Sequence, residues 1–454
     1  MDTIAAIATA QKAAAVGIVR ISGGDTEKIL SALFTPAGGQ SEMPPRRMVY
    51  GTVCDAQGSV LDHALAVRFS AQHSYTGEES AELHCHGSPV VLSEVLHACF
   101  AAGARQALPG EFTKRAFLNG KMDLTEAEAV IDLIDAETAE AAHNAALQMD
   151  GTLRRLVDKS YDALLDITSR FYAVVDYPDE DIEDLTRTQA EAALRETETA
   201  LDRLLSTYSR GRILKSGAAT AIIGAPNAGK SSLLNALVGY DRAIVTDIAG
   251  TTRDTVEEKA VVGGVLLRLI DTAGIRKTDD AVEKIGVERS RQTAERADLV
   301  LALVDGSRAL TDEDFTILNL ARDSGKPWIF VQTKKDLTKR AVSLGIIGQN
   351  APPTVAVSSV TGEGLDALEA AVASTFPHGD VPTGTLLTNA RQADAVQRAL
   401  TAVRAARDAL SSGMTPDVVL TEAEEAMRAL GELTGRTARE DMVARIFERF
   451  CVGK

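Results

Sequence analysis

The chain has 454 residues, of which 45% are hydrophobic and 25% charged, a length and balance that set an expectation of about three globular domains and exclude disorder, collagen or coiled coil over the whole length. Asp and Glu number 64 against 48 Lys and Arg, and the net charge of −16 argues against a non-specific grip on nucleic acid or anionic membrane by the whole molecule, leaving room for a local basic site. The four cysteines, Cys54, Cys85, Cys99 and Cys451, are too widely spread for a disulfide framework, and with no signal peptide and no apolar run of about 18 residues the chain is expected to be cytoplasmic and to have no membrane association.

In chain order, the first 120 residues or so alternate β-rich runs with turn signals. Strands are expected at 16–21, 48–53 and 64–69, with one helix near 89–102, which reads as a small α+β domain. From Leu124 the texture becomes helical: Thr125 followed by Glu128 fits a capping box, Val130, Ile131 and Ile134 recur at helical spacing, and one long helix is expected to about Asp150. A second helix is expected over 153–175, stopped near Pro178 before the acidic turn 179–184, and a third ends near Gly211. From Ser216 short β runs at 219–223, 265–270, 299–304, 328–331 and 354–357 alternate with helix-length segments, the pattern of a doubly wound parallel sheet. A Pro/Gly-rich joint (Pro377, Gly379, Pro382, Gly384) leads back into helical sequence. The expected architecture is a multidomain α+β and α/β protein with an N-terminal domain over 1–121, a helical domain over 122–215 plus 378–454, and a nucleotide-type domain over 216–377 inserted into it.

Gly224-Ala225-Pro226-Asn227-Ala228-Gly229-Lys230-Ser231 matches the phosphate-binding pattern GxxxxGK[ST] between an apolar strand and the helix-like run from Ser232. In that setting the backbone N–H groups of 227–232 close around phosphate oxygens, Lys230 supplies a point charge, and the Ser231 hydroxyl is placed for Mg²⁺. Asp271-Thr272-Ala273-Gly274 ends the next apolar strand, where a carboxylate reaches Mg²⁺ through water and a glycine N–H senses the γ-phosphate. Thr333-Lys334-Lys335-Asp336 ends another strand; a carboxylate there accepts from the N1–H and amino group of guanine, an edge adenine does not offer, so the nucleotide is GTP. Thr333 stands where the usual motif has Asn. Ser358, Ser359 and Val360 follow the strand 354–357 and supply the last base-contacting backbone.

These motifs, together with Gly17-Ile18-Val19-Arg20-Ile21-Ser22-Gly23, Ser74-Tyr75-Thr76-Gly77-Glu78, the run Pro109 to Lys121, and the terminal Phe450-Cys451-Val452-Gly453-Lys454, resemble the MnmE/TrmE family of tRNA-modification GTPases nearly end to end. The resemblance implies a Ras-like GTPase domain inserted in the helical domain and an N-terminal domain that holds a tetrahydrofolate and dimerises. It also implies a homodimer that works on tRNA with an FAD-carrying flavoprotein of the GidA/MnmG type, the heterotetramer building a (carboxymethyl)aminomethyl group on C5 of the wobble uridine from a folate one-carbon unit. Ile275 stands where Ras-like enzymes carry the glutamine that orients water, and Pro226 crowds the approach of an arginine finger. The family answers both with K⁺, and the matching positions are Asn227, Thr246, Ile248 and Thr251. Within the switch I segment, Thr246, Asp247, Ile248, Ala249, Gly250, Thr251 and Thr252 would surround the phosphates, with Thr252 on Mg²⁺; Glu283 matches the catalytic glutamate that positions water, and Arg276 is a lesser candidate in switch II.

For the folate, 5-formyl- or 5,10-methylene-tetrahydrofolate, the family contacts map to Arg20, Glu82, Lys121 and Lys454, although 9–15 lacks the loop usual in the family. A carboxylate suits the donor edge of a pterin and cations suit its glutamate tail. Cys451 has two readings, a thiol required for modification or a small terminal side chain without chemistry. His84-Cys85-His86 would place Cys85 on the opposite strand face from both histidines, which speaks against a metal site. The competing function is a regulatory GTPase such as a ribosome-assembly factor, against which the long N-terminal domain and the terminal motif count.

Overall fold

The computed structural model describes residues 2–38, 43–176, 187–240, 258–270, 283–338, 351–376, 383–437, 440–448 and 450–453. They fall into two compact units, one of Met1–Ile131, Gln148–Glu198 and Arg398–Lys454, the other of Asp132–Leu147 and Thr199–Gln397.

In the first unit, β1 (Ile4–Ile7), β2 (Ala14–Ser22), β3 (Phe34–Pro36), β4 (Val49–Cys54), β5 (Val60–Phe69), β6 (Ser80–Gly87) and β7 (Arg105–Gln106) form one sheet in the order β3-β4-β5-β6-β2-β1-β7. All pairs are antiparallel except β1 with β7. Alternation along β2 and β6 turns Val19, Ile21, Leu83 and Cys85 into a core shared with the helices Thr26–Leu33 and Pro89–Ala101. Arg20, Glu82 and His84 consequently lie on the opposite face, with Arg20 directly across from Glu82. A side chain at Gly17 would put its Cβ 2.4 Å from Leu92 Cδ1, so any larger residue there would force Leu92 of the second helix to shift.

The expected strands at 16–21, 48–53 and 64–69 lie within β2, β4 and β5, and the helix near 89–102 is Pro89–Ala101. Three helical expectations need correction. The stretch from 124 to 150 is two helices, Leu124–Ile134 and Ala139–Met149, because Thr138 starts the second by accepting the Ala141 N–H at 3.2 Å. The capping box is Asp123 with Glu126 rather than Thr125 with Glu128: Asp123 Oδ1 accepts the Glu126 N–H at 2.8 Å and Glu126 Oε2 accepts the Asp123 N–H at 2.7 Å. Gly211 does not end a helix either. It is buried inside Tyr208–Ser216, where a Cβ would meet the Leu387 carbonyl at 2.1 Å.

In the second unit, β8 (Ala218–Gly224), β9 (Glu258–Val262), β10 (Val265–Ile270), β11 (Leu299–Asp305), β12 (Trp328–Thr333) and β13 (Thr354–Ala356) form a sheet in the order β13-β12-β11-β8-β10-β9. Every pair is parallel except β9 with β10. Both faces are covered: Ile222, Leu267, Leu301 and Val331 pack on the side of Lys230–Tyr240 and Leu365–Thr375, while Ala221, Ile223, Val300 and Phe330 pack against Glu283–Arg296 and Asp312–Asp323. Burial on two faces is why these strands read as continuous apolar runs. After β8 the chain first builds the β10 side of the sheet and then the β11 side, so the carboxyl end of β8 is the switch point at which such sheets bind ligands.

Candidate functional site

At that switch point, β8 ends in Gly224 and the loop turns through Asn227 (φ 60°) and Gly229 (φ 89°) into the helix that begins at Lys230. Lys230 Nζ donates to the Gly224 and Ala225 carbonyls at 2.7 and 2.9 Å, and burial lowers its pKa. Incoming phosphate would exchange these neutral partners for charged ones. Ser231 and Ser232 are exposed in the first turn, the end of a helix whose dipole favours an anion.

The base-reading loop is tied to the phosphate loop by Thr333. Its buried hydroxyl lies 2.8 Å from the Ala228 carbonyl and 3.0 Å from the Val304 carbonyl, donating into both the phosphate loop and the neighbouring strand. A hydroxyl thus makes the bridge here, and its β-branched body stands 3.3 Å from where a Cβ on Gly229 would be, a tight approach at a position whose φ of 89° already favours glycine. Lys334 adopts φ 58° and pairs with Asp305 Oδ2 at 2.6 Å. Burial would raise the Asp305 pKa, but Lys334 and Ser307 outweigh it and lower it. Asp336 Oδ1 accepts the Ser358 hydroxyl at 2.7 Å, and Ser358 Oγ receives the Val360 N–H at 3.3 Å, which orients the exposed carboxylate. Ser359 is half-buried and Val360 exposed beside it.

Of the other GTP, Mg²⁺ and K⁺ candidates, Thr246, Asp247, Ile248, Ala249, Gly250, Thr251, Thr252, Asp271, Thr272, Ala273, Gly274 and Arg276 lie outside the described residues. Glu283 is the first residue of the helix Glu283–Arg296.

A second site lies in the first unit. Arg20 meets Glu82 Oε1 through Nε and through its terminal nitrogen, each at 2.9 Å, with the two side chains 20% and 19% exposed. The guanidinium also lies 5.8 Å from the Tyr75 ring centre and 5.7 Å from that of Phe112. A cavity of about 130 Å³ opens here, lined by Arg20, Phe69, His73, Tyr75, Ser80 and Glu82 among others. Lys121 Nζ donates to the carbonyl of Gln72, the residue before the lining residue His73, at 2.6 Å.

The C-terminal tail reaches the same place. Pro109 bridges Val452, the Gly110 N–H donates to the Cys451 carbonyl at 3.3 Å, and the Gly453 carbonyl accepts from Arg20 at 3.4 Å. Gly110 (φ 64°) is required, because its Cβ would strike the Phe447 carbonyl at 2.7 Å. Beneath it, Glu111 binds Arg105 at 2.6 Å and Arg115 at 3.0 Å; burial pushes its pKa up, but Arg105, the Leu108 N–H and Arg115 bring it down to about 2. The structure therefore brings Arg20, Glu82, Lys121 and the tail towards one cavity, with the Cys451 thiol exposed and Lys454 outside the described residues. Residues the sequence did not single out are Tyr75, Phe112, His73 and Asp305, of which Tyr75 and Phe112 lie in the quoted motifs; His84 stands out in the sequence only within His84-Cys85-His86. Cys85 faces the core, while His84 pairs with Glu82 and His86 with Asp62.

A parallel sheet with a phosphate loop after its central strand and an acid-ended base loop two strands away defines the second unit as a P-loop GTP-binding fold. The sequence matches the GTP-binding protein TrmE N-terminus over residues 3–121 and the MnmE helical domain over 124–451. It is 44% identical to the tRNA modification GTPase MnmE of Roseiflexus sp. (strain RS-1), over 100% of this chain and 99% of that one. The protein of the same name from Lactobacillus delbrueckii subsp. bulgaricus is 42% identical over 100% of this chain and 98% of its own. Among solved structures, the G domain of the T. maritima FeoB iron transporter is 26% identical, covering 35% of this chain and 98% of that chain with a TM-score of 0.26. The chain belongs to the MnmE/TrmE family of tRNA modification GTPases.

Proposed function

We propose that the protein hydrolyses GTP with Mg²⁺ and K⁺ and, as a homodimer with an FAD-dependent flavoprotein of the GidA/MnmG type, modifies C5 of the wobble uridine of certain tRNAs using a folate one-carbon unit in the cytoplasm. The observation that carries this reading is the joining of Lys230, Thr333 and Asp336 at the carboxyl edge of one parallel sheet, in a chain alike over its full length to tRNA modification GTPases. No helix among the described residues is long and apolar enough to cross a membrane.

In this reading the chain's residues hold the triphosphate and select the base. Lys230 would exchange its carbonyl partners for the β and γ phosphates, and Ser231 and Thr252, with Asp271 behind them, would hold a Mg²⁺ that offsets phosphate charge. Asp336, steadied by Ser358, accepts from the guanine edge. K⁺ would supply transition-state charge beside Asn227, Thr246, Ile248 and Thr251, and Glu283 would orient the attacking water. The half-buried Arg20–Glu82 pair in its cavity fits a ligand with a hydrogen-bond donor edge, and Lys121 and Lys454 would meet its anionic tail. The domain boundaries proposed are 1–121, 122–215 with 378–454, and 216–377.

Steady-state phosphate release in K⁺ and in Na⁺ at equal ionic strength tests the hydrolytic part. An arginine finger is worth about 10³ to 10⁵ in rate, so a cation replacing part of it should give at least about tenfold stimulation by K⁺, abolished in Asn227→Ala. Equal rates in the two salts for the unaltered protein exclude the K⁺ mechanism.

A further inference from the structure

Glu82 is more heavily engaged than a ligand-binding carboxylate needs to be. Its Oε1 takes both the Nε and a terminal nitrogen of Arg20 at 2.9 Å, and its Oε2 lies 3.1 Å from His84 Nε2. An ionised carboxylate only accepts, so His84 must carry its proton on Nε2 and donate. A carboxylate offers about four lone-pair sites, and these contacts fill three of them. The amino group and ring N–H at the edge of a pterin arrive as two parallel donors and need one site on each oxygen, or two on Oε2. With Arg20 filling Oε1, a two-donor edge finds only one vacant site on Oε2.

We propose that His84 occupies the acceptor site on Glu82 that the donor edge of a pterin takes, so that this imidazole competes with the ligand and weakens its binding when protonated. The inference rests on the folate reading of the cavity and gives that site a regulation of its own. His84 is placed for this by register: it sits two residues beyond Glu82 on the same face of β6, between Ile18 of β2 and Leu65 of β5, neither of which can bond it. Neutral His84 donates a weak neutral–anion bond that the ligand can displace. Imidazolium donates a charge-assisted one, roughly twice as strong, and holds Oε2 against the incoming donor.

Other titratable or charged groups surround it. On its own strand stand Glu82 and His86, the latter bonded to Asp62 of β5 at 2.8 Å; across β2 stands Arg20. His63 of β5 contacts Thr52 of β4, and His73 and Tyr75 line the cavity wall. Since His63, His73 and His86 are imidazoles too, removing His84 alone is needed to assign the effect.

Calorimetric titration of the full-length protein with 5-formyltetrahydrofolate at pH 8 and pH 6 is the test. The unaltered protein should bind about fourfold or more weakly at pH 6. His84→Ala should bind at least as tightly as the unaltered protein at pH 8 and lose the pH dependence. His84→Gln, which keeps a donor that never charges, should also be flat with pH but bind more weakly than His84→Ala. A pH dependence that persists in His84→Ala, an affinity of the unaltered protein that is flat with pH, or weaker binding by His84→Ala at pH 8 overturns the competition. Unchanged affinity in Glu82→Ala, or no binding by the unaltered protein at pH 8, instead refutes the folate reading and the inference with it. Thermal melting and GTP affinity unchanged in His84→Ala establish that the variant is folded.

Discussion

Thr333→Val swaps the hydroxyl for a methyl of nearly the same volume, so the perturbation is confined to the two contacts made by Oγ1, at 2.8 Å to the Ala228 carbonyl and 3.0 Å to the Val304 carbonyl. One proton serves both acceptors, so the loss is that of one shared buried hydrogen bond plus the desolvation of carbonyls left facing a methyl group, about 1 to 3 kcal/mol. The Val304 side of this cost falls on the sheet and lowers stability. The Ala228 side falls on the phosphate loop, whose shape the nucleotide needs; if that side carried the whole cost GDP and GTP affinity would drop by roughly five- to 150-fold, so the drop should stay below that ceiling, about three- to 50-fold. Thr333→Ser keeps the hydroxyl and should recover most of the loss. Titration with a fluorescent guanine nucleotide, alongside melting temperature, reads both effects. Affinity of Thr333→Val equal to that of the unaltered protein would refute the claim that this hydroxyl holds the phosphate loop to the base-reading loop.

Two further predictions concern pH, with opposite signs. Burial, and the neighbouring Glu126 carboxylate, outweigh the Glu126 N–H, the Thr125 hydroxyl and Arg154 and push the Asp123 pKa up to about 6, so the native state tolerates its charge poorly and loses stability as pH rises from about 4 through 6. Asp123→Asn keeps the capping acceptor, and should raise the melting temperature at pH 8 while giving no advantage at pH 4, as differential scanning calorimetry would read. Glu111, held at about 2, stabilises the fold fully above its ordinary value of 4.5, and that contribution disappears as pH falls through 2. Glu111→Gln should therefore destabilise the protein at pH 7 by about 3 kcal/mol, measured by denaturant unfolding, and the gap should narrow on acidification towards pH 2.

The parallel sheet was legible because strands buried on both faces are continuous apolar runs, and the phosphate loop because its glycines and lysine stand at a fixed spacing between strand and helix. β9 was missed: Glu258-Lys259-Ala260-Val261-Val262 has two charges at its start, and among the described residues it pairs with a neighbour on one side only. β6 was missed because Glu82, His84 and His86 place polar atoms on its outer face, the same property that makes it part of a binding surface. The helix break at Thr138 was hidden because threonine at a cap differs from threonine within a helix only in what its hydroxyl bonds. The Arg20–Glu82 pair, separated by 62 residues, was brought to attention by family resemblance, since either charge alone reads as an ordinary surface group; the register of β2 with β6 supplies the physical reason they meet. The role of Thr333 could not be inferred from its departure from Asn, because the acceptors it finds, Ala228 and Val304, are backbone atoms far away in sequence.

The central claim is that GTP turnover in this chain serves modification of a tRNA wobble uridine. Mass spectrometry of nucleosides from tRNA of cells lacking the protein, and of the same cells supplied with the unaltered chain or with Asp336→Ala, addresses it most directly. The account predicts that the (carboxymethyl)aminomethyl group at C5 of the wobble uridine disappears, returns with the unaltered chain, and does not return with the variant that cannot hold guanine. Wobble uridines still fully modified in the absence of the protein would contradict it.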